Sequence, residues 1–170
     1  KVFAPLMAIG AAAKVGEAIG TFITGAVDEA REAQKVSAIT NQIVKATGGA
    51  SKITAKQVGD LAEAISRKTG VDDEAIQSSA NLLLTFKQVR NEAGKGNDIF
   101  SRATAAAQDM AAAGFGDANS AAKMLGKALN DPLKGITALG RAGVTFTDGQ
   151  KKQIKALVES GDTLKAQKII

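Results

Sequence analysis

Thr69-Gly70-Val71-Asp72-Asp73-Glu74-Ala75-Ile76-Gln77 decides the fold class. A helix stop and a helix start stand side by side in it. Gly70 can take the left-handed conformation that closes a helix, and Asp72 can cap the next one. Asp73 and Glu74 then occupy its first turn, where carboxylates meet the positive end of the helix dipole. No room is left for a strand between the two. Reading backwards, Thr54 with Gln57 forms a capping box, so a helix runs from there to about Lys68. Reading forwards, the Asp72 helix continues through Leu82, Leu83, Leu84 and Phe86 to about Asn91.

The same grammar repeats to the end of the chain. The loop Ala93-Gly94-Lys95-Gly96 leads to Asn97, which is expected to cap a helix ending at Gly114. Asp117 or Asn119 opens another, through Met124 and Leu125. Asp131-Pro132 places a cap before a proline at the first helical position, restarting the chain up to Gly140 or Gly143. Thr147 with Gln150 makes a second capping box, and Gly161-Asp162 separates the last two helical pieces. Sustained alternation of apolar and polar residues is missing, and only Gly143-Val144-Thr145-Phe146-Thr147 looks locally extended.

The sequence therefore predicts an all-α chain: one long N-terminal helix followed by a bundle of six or seven short ones. The division expected is a rod or oligomerisation element at 1–49 and a small multi-helix domain at 50–170. A chain of 170 residues has room for one ordinary domain. It begins with Lys1 and stops in mid-pattern at Lys168-Ile169-Ile170, which reads as a segment of a longer protein.

Composition narrows function. With no Cys and no His there is no thiolate, no imidazole base and no His or Cys metal ligand. Trp and Tyr are absent and Phe occurs six times, so the core must be built of Leu, Ile, Val and Ala. Any enzyme would rely on carboxylates, lysines and hydroxyls, and the expectation is that this is not one. No cofactor and no metal are expected. The formal charge is +5, and residues 101–170 carry ten basic and six acidic residues. That surplus is mild.

The first segment, from about Phe3 to Thr47, has apolar residues at helical spacing, among them Val15, Ile19, Phe22, Ile23, Val36, Ile39, Ile43 and Val44. An unbroken helix over it would be roughly 65 Å long, against a radius of gyration of about 15 Å for a compact domain of this size. It must break at its glycines or project. Ala8, Ala12, Gly16 and Gly20 form a small-residue ridge at four-residue spacing, suited to close helix packing. Packing in an oligomeric bundle is the favoured use. Membrane insertion is the alternative, opposed by Lys14 and Glu17, which leave no uncharged 18-residue span.

Three charged features complete the reading. Lys151, Lys152 and Lys155, with Arg141 upstream, offer weak phosphate contacts, although a solvated helix face is the ordinary use of such a run. Asp72-Asp73-Glu74 reads as capping, since three consecutive carboxylates are not expected to converge on a metal. Lys95 between two glycines lacks the preceding strand and the spacing of a phosphate loop, and reads as an inter-helix turn.

Several long phrases occur in one order. They are Thr69 to Gln77, Ala80-Asn81-Leu82-Leu83-Leu84-Thr85-Phe86, Val89-Arg90-Asn91-Glu92-Ala93-Gly94 and Asn97-Asp98-Ile99-Phe100. Leu125-Gly126-Lys127-Ala128-Leu129-Asn130-Asp131-Pro132, Gly143 to Thr147, and Gln153 to Asp162 follow. Over roughly 36–170 this resembles the helical region of tape measure proteins of long-tailed bacteriophages and prophages. The resemblance implies a structural virion protein that sets tail length as the tube polymerises and is released ahead of DNA. As partners it implies tail tube and tail tip proteins, tail assembly chaperones and further copies of the chain in a homo-oligomer, without specific nucleic-acid recognition. The implied location is the tail lumen or tip, and the host cytoplasm during assembly. A membrane-active module forming a conduit for DNA is the competing class, with the host membrane as partner. A peptidoglycan hydrolase, as some family members carry elsewhere in their chains, is a minor one, because none of the quoted phrases belongs to such a module.

Overall fold

The computed structural model describes residues 29–170, and these are helical with no named strand. Residues 29–46 form α1. It is followed by α2 (Ala55–Thr69), α3 (Asp73–Leu84), α4 (Ile99–Ala112), α5 (Ala118–Asn130), α6 (Pro132–Arg141), α7 (Asp148–Glu159) and α8 (Thr163–Ile169). Val36–Ile170 is one compact unit. It takes in α1 from Val36 onward, because Ile43 and Val44 pack against the core. The part of the long first helix expected before residue 29 lies outside the described residues.

Local chemistry explains where most helices begin. Thr54 and Thr147 each accept a hydrogen bond from the backbone N–H three residues on, and Gln57 and Gln150 accept in return from the cap N–H. The Asp72 carboxylate accepts from the N–H groups of Glu74 (2.9 Å) and Ala75 (3.2 Å). Asp117, Asp131 and Asp162 cap α5, α6 and α8 in the same way. Gly70 closes α2 at φ 74°, a conformation costly for any residue with a Cβ.

The core is mostly aliphatic, with one fully buried aromatic among the described residues and Phe86 and Phe146 packed against its edge. Phe100 on α4 is fully buried and belongs to one cluster with Leu83 and Leu84 of α3, Val89, Leu125 and Leu129 of α5, and Leu139 of α6. Burying each such side chain stabilises the fold by about 1.5–3 kcal/mol. Alanines fill the helix crossings: Ala80, Ala107, Ala121, Ala122 and Ala128 are nearly or wholly buried. Two glycines permit closer approach still. A Cβ at Gly126 would overlap the Phe86 ring, and one at Gly135 would overlap the backbone of Ala128, where α6 crosses α5.

α3 is buried on several sides and carries polar groups into the interior, where Gln77 and Ser79 find partners. Gln77 Nε2 donates to Thr40 Oγ1 of α1 (2.8 Å), and Gln108 Nε2 of α4 donates to Ser79 Oγ (2.8 Å). Ser79 Oγ itself donates to the Ile76 carbonyl. At the other end of the unit, Gln167 Nε2 of α8 donates to the carbonyls of Gln88 and Leu129, both at 2.8 Å.

Two boundaries differ from those the sequence suggests. The Asp72 helix ends at Leu84, not near Asn91. The Thr85 hydroxyl donates to the Leu82 carbonyl and tight turns follow at Phe86 and Val89, which bury Val89 and bring the Asn91 N–H to the Ser51 carbonyl. Asn97 does not cap α4. The cap position is Asp98, whose side chain makes no capping bond, while Asn91 accepts from the Ser101 N–H at 3.3 Å across the 91–98 hairpin.

Candidate functional site

Four basic residues of the C-terminal third, Arg141, Lys151, Lys152 and Lys155, stand where α6 passes to α7. Pro132 and the Asp131 cap start α6, which ends at Arg141; the turn through Gly143 and the Thr147 capping box start α7. The two helices flank a cleft of about 400 Å³ lined by Ile136, Thr137, Gly140, Arg141 and Lys151. Arg141 and Lys151, ten residues apart in sequence, thus face one space. Lys155 follows Lys151 by one helical turn, and Lys152 stands on the flank of the same face. All four cations are exposed.

Neutralisation of this patch is partial. Lys151 Nζ lies 3.5 Å from Asp148, and Lys155 Nζ lies 3.8 Å from Glu159, with both carboxylates more than half exposed. Exposed pairs this loose contribute little and exchange readily with solvent ions. Arg141 and Lys152 have no ion pair among the described residues. The sequence alone points to the lysine run and to Arg141. It does not point to Thr137, Gly140 and Ile136, because only the α6–α7 turn brings them beside Lys151.

The acidic cluster at the start of α3 is tighter than expected. One oxygen from each of Asp72, Asp73 and Glu74 lies within 4.8 Å of the others, so the consecutive carboxylates do converge, contrary to the sequence expectation. A long glutamate side chain can fold back over the cap. Desolvation, and then the hydrogen bond to Asp72, push Glu74 up to about 7. Asp72 is held below the usual carboxylate range by that same hydrogen bond and by the backbone N–H of Ala75. A protonated Glu74 donating to an ionised Asp72 explains both directions. The capping bonds of Asp72 give the cluster a structural role.

Lys95 is exposed at the tip of a hairpin in which Glu92 N–H donates to the Asn97 carbonyl and Asn97 N–H to the Gly94 carbonyl. Behind it, Lys52 and Arg90 both pair with Glu92, at 2.7 and 2.8 Å, and Lys52 first of all lowers the Glu92 pKa. The hairpin is a connection between helices, as its sequence suggests.

Beside α3, a groove of about 270 Å³ is lined by Val36, Ile39, Ile43, Leu82 and Asn81 among others. The Asn81 Oδ1 atom is buried there without a hydrogen-bond partner. The ridge Ala8, Ala12, Gly16 and Gly20 lies outside the described residues. No described helix is long and apolar enough to cross a membrane. Set beside known protein families, curated proteins and solved structures, the chain matches none of them.

Proposed function

We propose that this chain is a segment of a tail tape measure protein, a structural virion component and not an enzyme. The observation that carries the reading is the ordered series of sequence phrases between Thr69 and Asp162. The all-helical character of the described residues agrees with it but is shared by many proteins. Its partners in this reading are tail tube and tail tip proteins, assembly chaperones and further copies of itself through the ridge Ala8, Ala12, Gly16 and Gly20. It acts in the tail lumen or tip, after assembly in the host cytoplasm.

The compact unit refines what such a segment does. As one continuous helix, Val36–Ile170 would span roughly 200 Å. Folded compactly, the same residues have a radius of gyration of about 14 Å. In this form the unit contributes almost nothing to a ruler's length, so its role is that of a globular station on the tape, seated at one level of the tail.

Deleting residues 36–170 from the parent protein and measuring tails by electron microscopy tests this. The expected result is a failure of assembly, or tails shortened by far less than 200 Å. Shortening in full proportion to the deleted residues would show that the segment serves as rod. Absence of the chain from purified virions, judged by mass spectrometry, would overturn the tape measure reading itself.

A further inference from the structure

The α6–α7 cleft joins Arg141 at the end of α6 to the lysine row of α7. From Asp131 to Glu159 five cations, Lys134, Arg141, Lys151, Lys152 and Lys155, stand against three carboxylates, and Lys134, Lys151 and Lys155 each pair with one of them at the surface. On α7 the three lysines fall within an arc of about 100°, and Lys151 and Lys155 are about 6 Å apart along the axis. Arg141 extends that row across the cleft, beside the hydroxyl-bearing Thr137 and a Gly140 that has no side chain to keep a ligand away.

We propose that this cleft is a sequence-independent contact for the phosphodiester backbone of nucleic acid. A row of spaced, exposed cations suits a repeating polyanion better than one small oxyanion, which needs donors converging in a buried pocket. The five lining residues include no aromatic, so bases have no platform on which to stack and the contact is made to phosphates alone. Arg141 supplies a planar fork for a phosphate at the cleft, and the lysines supply point charges along the strand. The loose pairs with Asp148 and Glu159 open as phosphates replace the carboxylates.

Fluorescence anisotropy of a labelled duplex oligonucleotide, titrated with the whole chain at 50 and 150 mM salt, tests the proposal. The cleft variant is Arg141→Gln, Lys151→Gln, Lys155→Gln. The control is Lys45→Gln, Lys68→Gln, Lys123→Gln, which removes the same charge from exposed positions on α1, α2 and α5. The cleft variant is expected to bind about tenfold more weakly or worse at 50 mM salt, and the control within about twofold of wild type. The slope of log affinity against log salt should fall by about 0.9 for each phosphate that is no longer neutralised. Thr137→Glu, which adds a carboxylate without removing a cation, should weaken binding in the same direction and guards against a folding defect in the triple variant. Equal losses in cleft and control variants would overturn the proposal, as would no binding at 50 mM salt. Displacement of the duplex by polyglutamate as readily as by unlabelled DNA would also overturn it, reassigning the cleft to acidic proteins.

Discussion

At the scale of single residues, glycine identity is decided by neighbours that the sequence does not show. Gly135 lies inside α6, where glycine costs about 1 kcal/mol relative to alanine. The overlap of an added Cβ with Ala128 reverses that preference. Gly135→Ala is expected to destabilise by about 1–3 kcal/mol, the usual cost of overpacking. Gly140→Ala, in the same helix with no atom within 4 Å of its Cβ position, should stabilise by up to about 1 kcal/mol. Urea melts of the two variants give opposite shifts if the α5–α6 crossing is as close as described; two shifts of the same sign would contradict it. Leu83, fully buried, should cost about 2–5 kcal/mol on truncation to Ala in the same assay. Leu83 is legible as core from its place in an apolar run. The complete burial of Phe100 is not, since one aromatic after a glycine-rich loop announces no partner. Gly126 and Gly135 are visible in the sequence only as residues, because a close approach is a property of two helices.

At the scale of elements, helix starts are the most legible part of the fold. A cap is a contact between a side chain and an N–H two or three residues on, so Thr54, Asp72, Asp117, Asp131, Thr147 and Asp162 can all be read locally. Asn91 capping α4 from ten residues upstream cannot, because it depends on the hairpin between them. The α6 cap gives a direct test. Asp131→Ala should remove roughly 1 kcal/mol in a urea melt, whereas Asp131→Asn, which keeps an acceptor for the Lys134 N–H, should be near neutral. Equal losses would assign the effect to the Lys134–Asp131 ion pair instead. The α3 start carries a pH signature of unusual sign. Glu74 has a folded pKa raised to about 7 from its ordinary 4.5, so the native state holds its proton more tightly than the unfolded chain. Its contribution is complete below about pH 4.5 and is lost as pH rises through about 7. The depressed Asp72 works in the opposite sense, and its contribution fades as pH falls through its lowered pKa. Thermal melts of wild type minus Glu74→Gln should therefore show a stability difference that declines between pH 5 and 8. A flat difference would show that Glu74 does not bind the proton.

At the scale of the whole molecule, the Val36–Ile170 unit is closed by polar contacts between elements far apart in sequence. Gln167 is the clearest: it is 5% exposed, and its amide joins carbonyls on two other segments. Gln167→Leu should cost about 1–3 kcal/mol through the unpaired acceptors. Hydrogen exchange should quicken in α8 first; unchanged protection there would mean that α8 is held by the apolar packing of Leu164, Ala166 and Ile170 instead. The candidate cleft belongs to this scale too. Its charge can be read from the composition of 101–170, but its shape comes from the turn between α6 and α7, which no single helix specifies.

The Gln167 contact also sets a timetable for synthesis. Its acceptor on Gln88 lies 79 residues earlier in the chain. At about 5–20 residues per second, that carbonyl waits roughly 4–16 s on the ribosome for its amide. During this interval the surface that α8 later covers, around Ile99 and Leu129, is open to any neighbouring nascent chain. The order in which the ribosome delivers these residues makes that face one that an escort would shield.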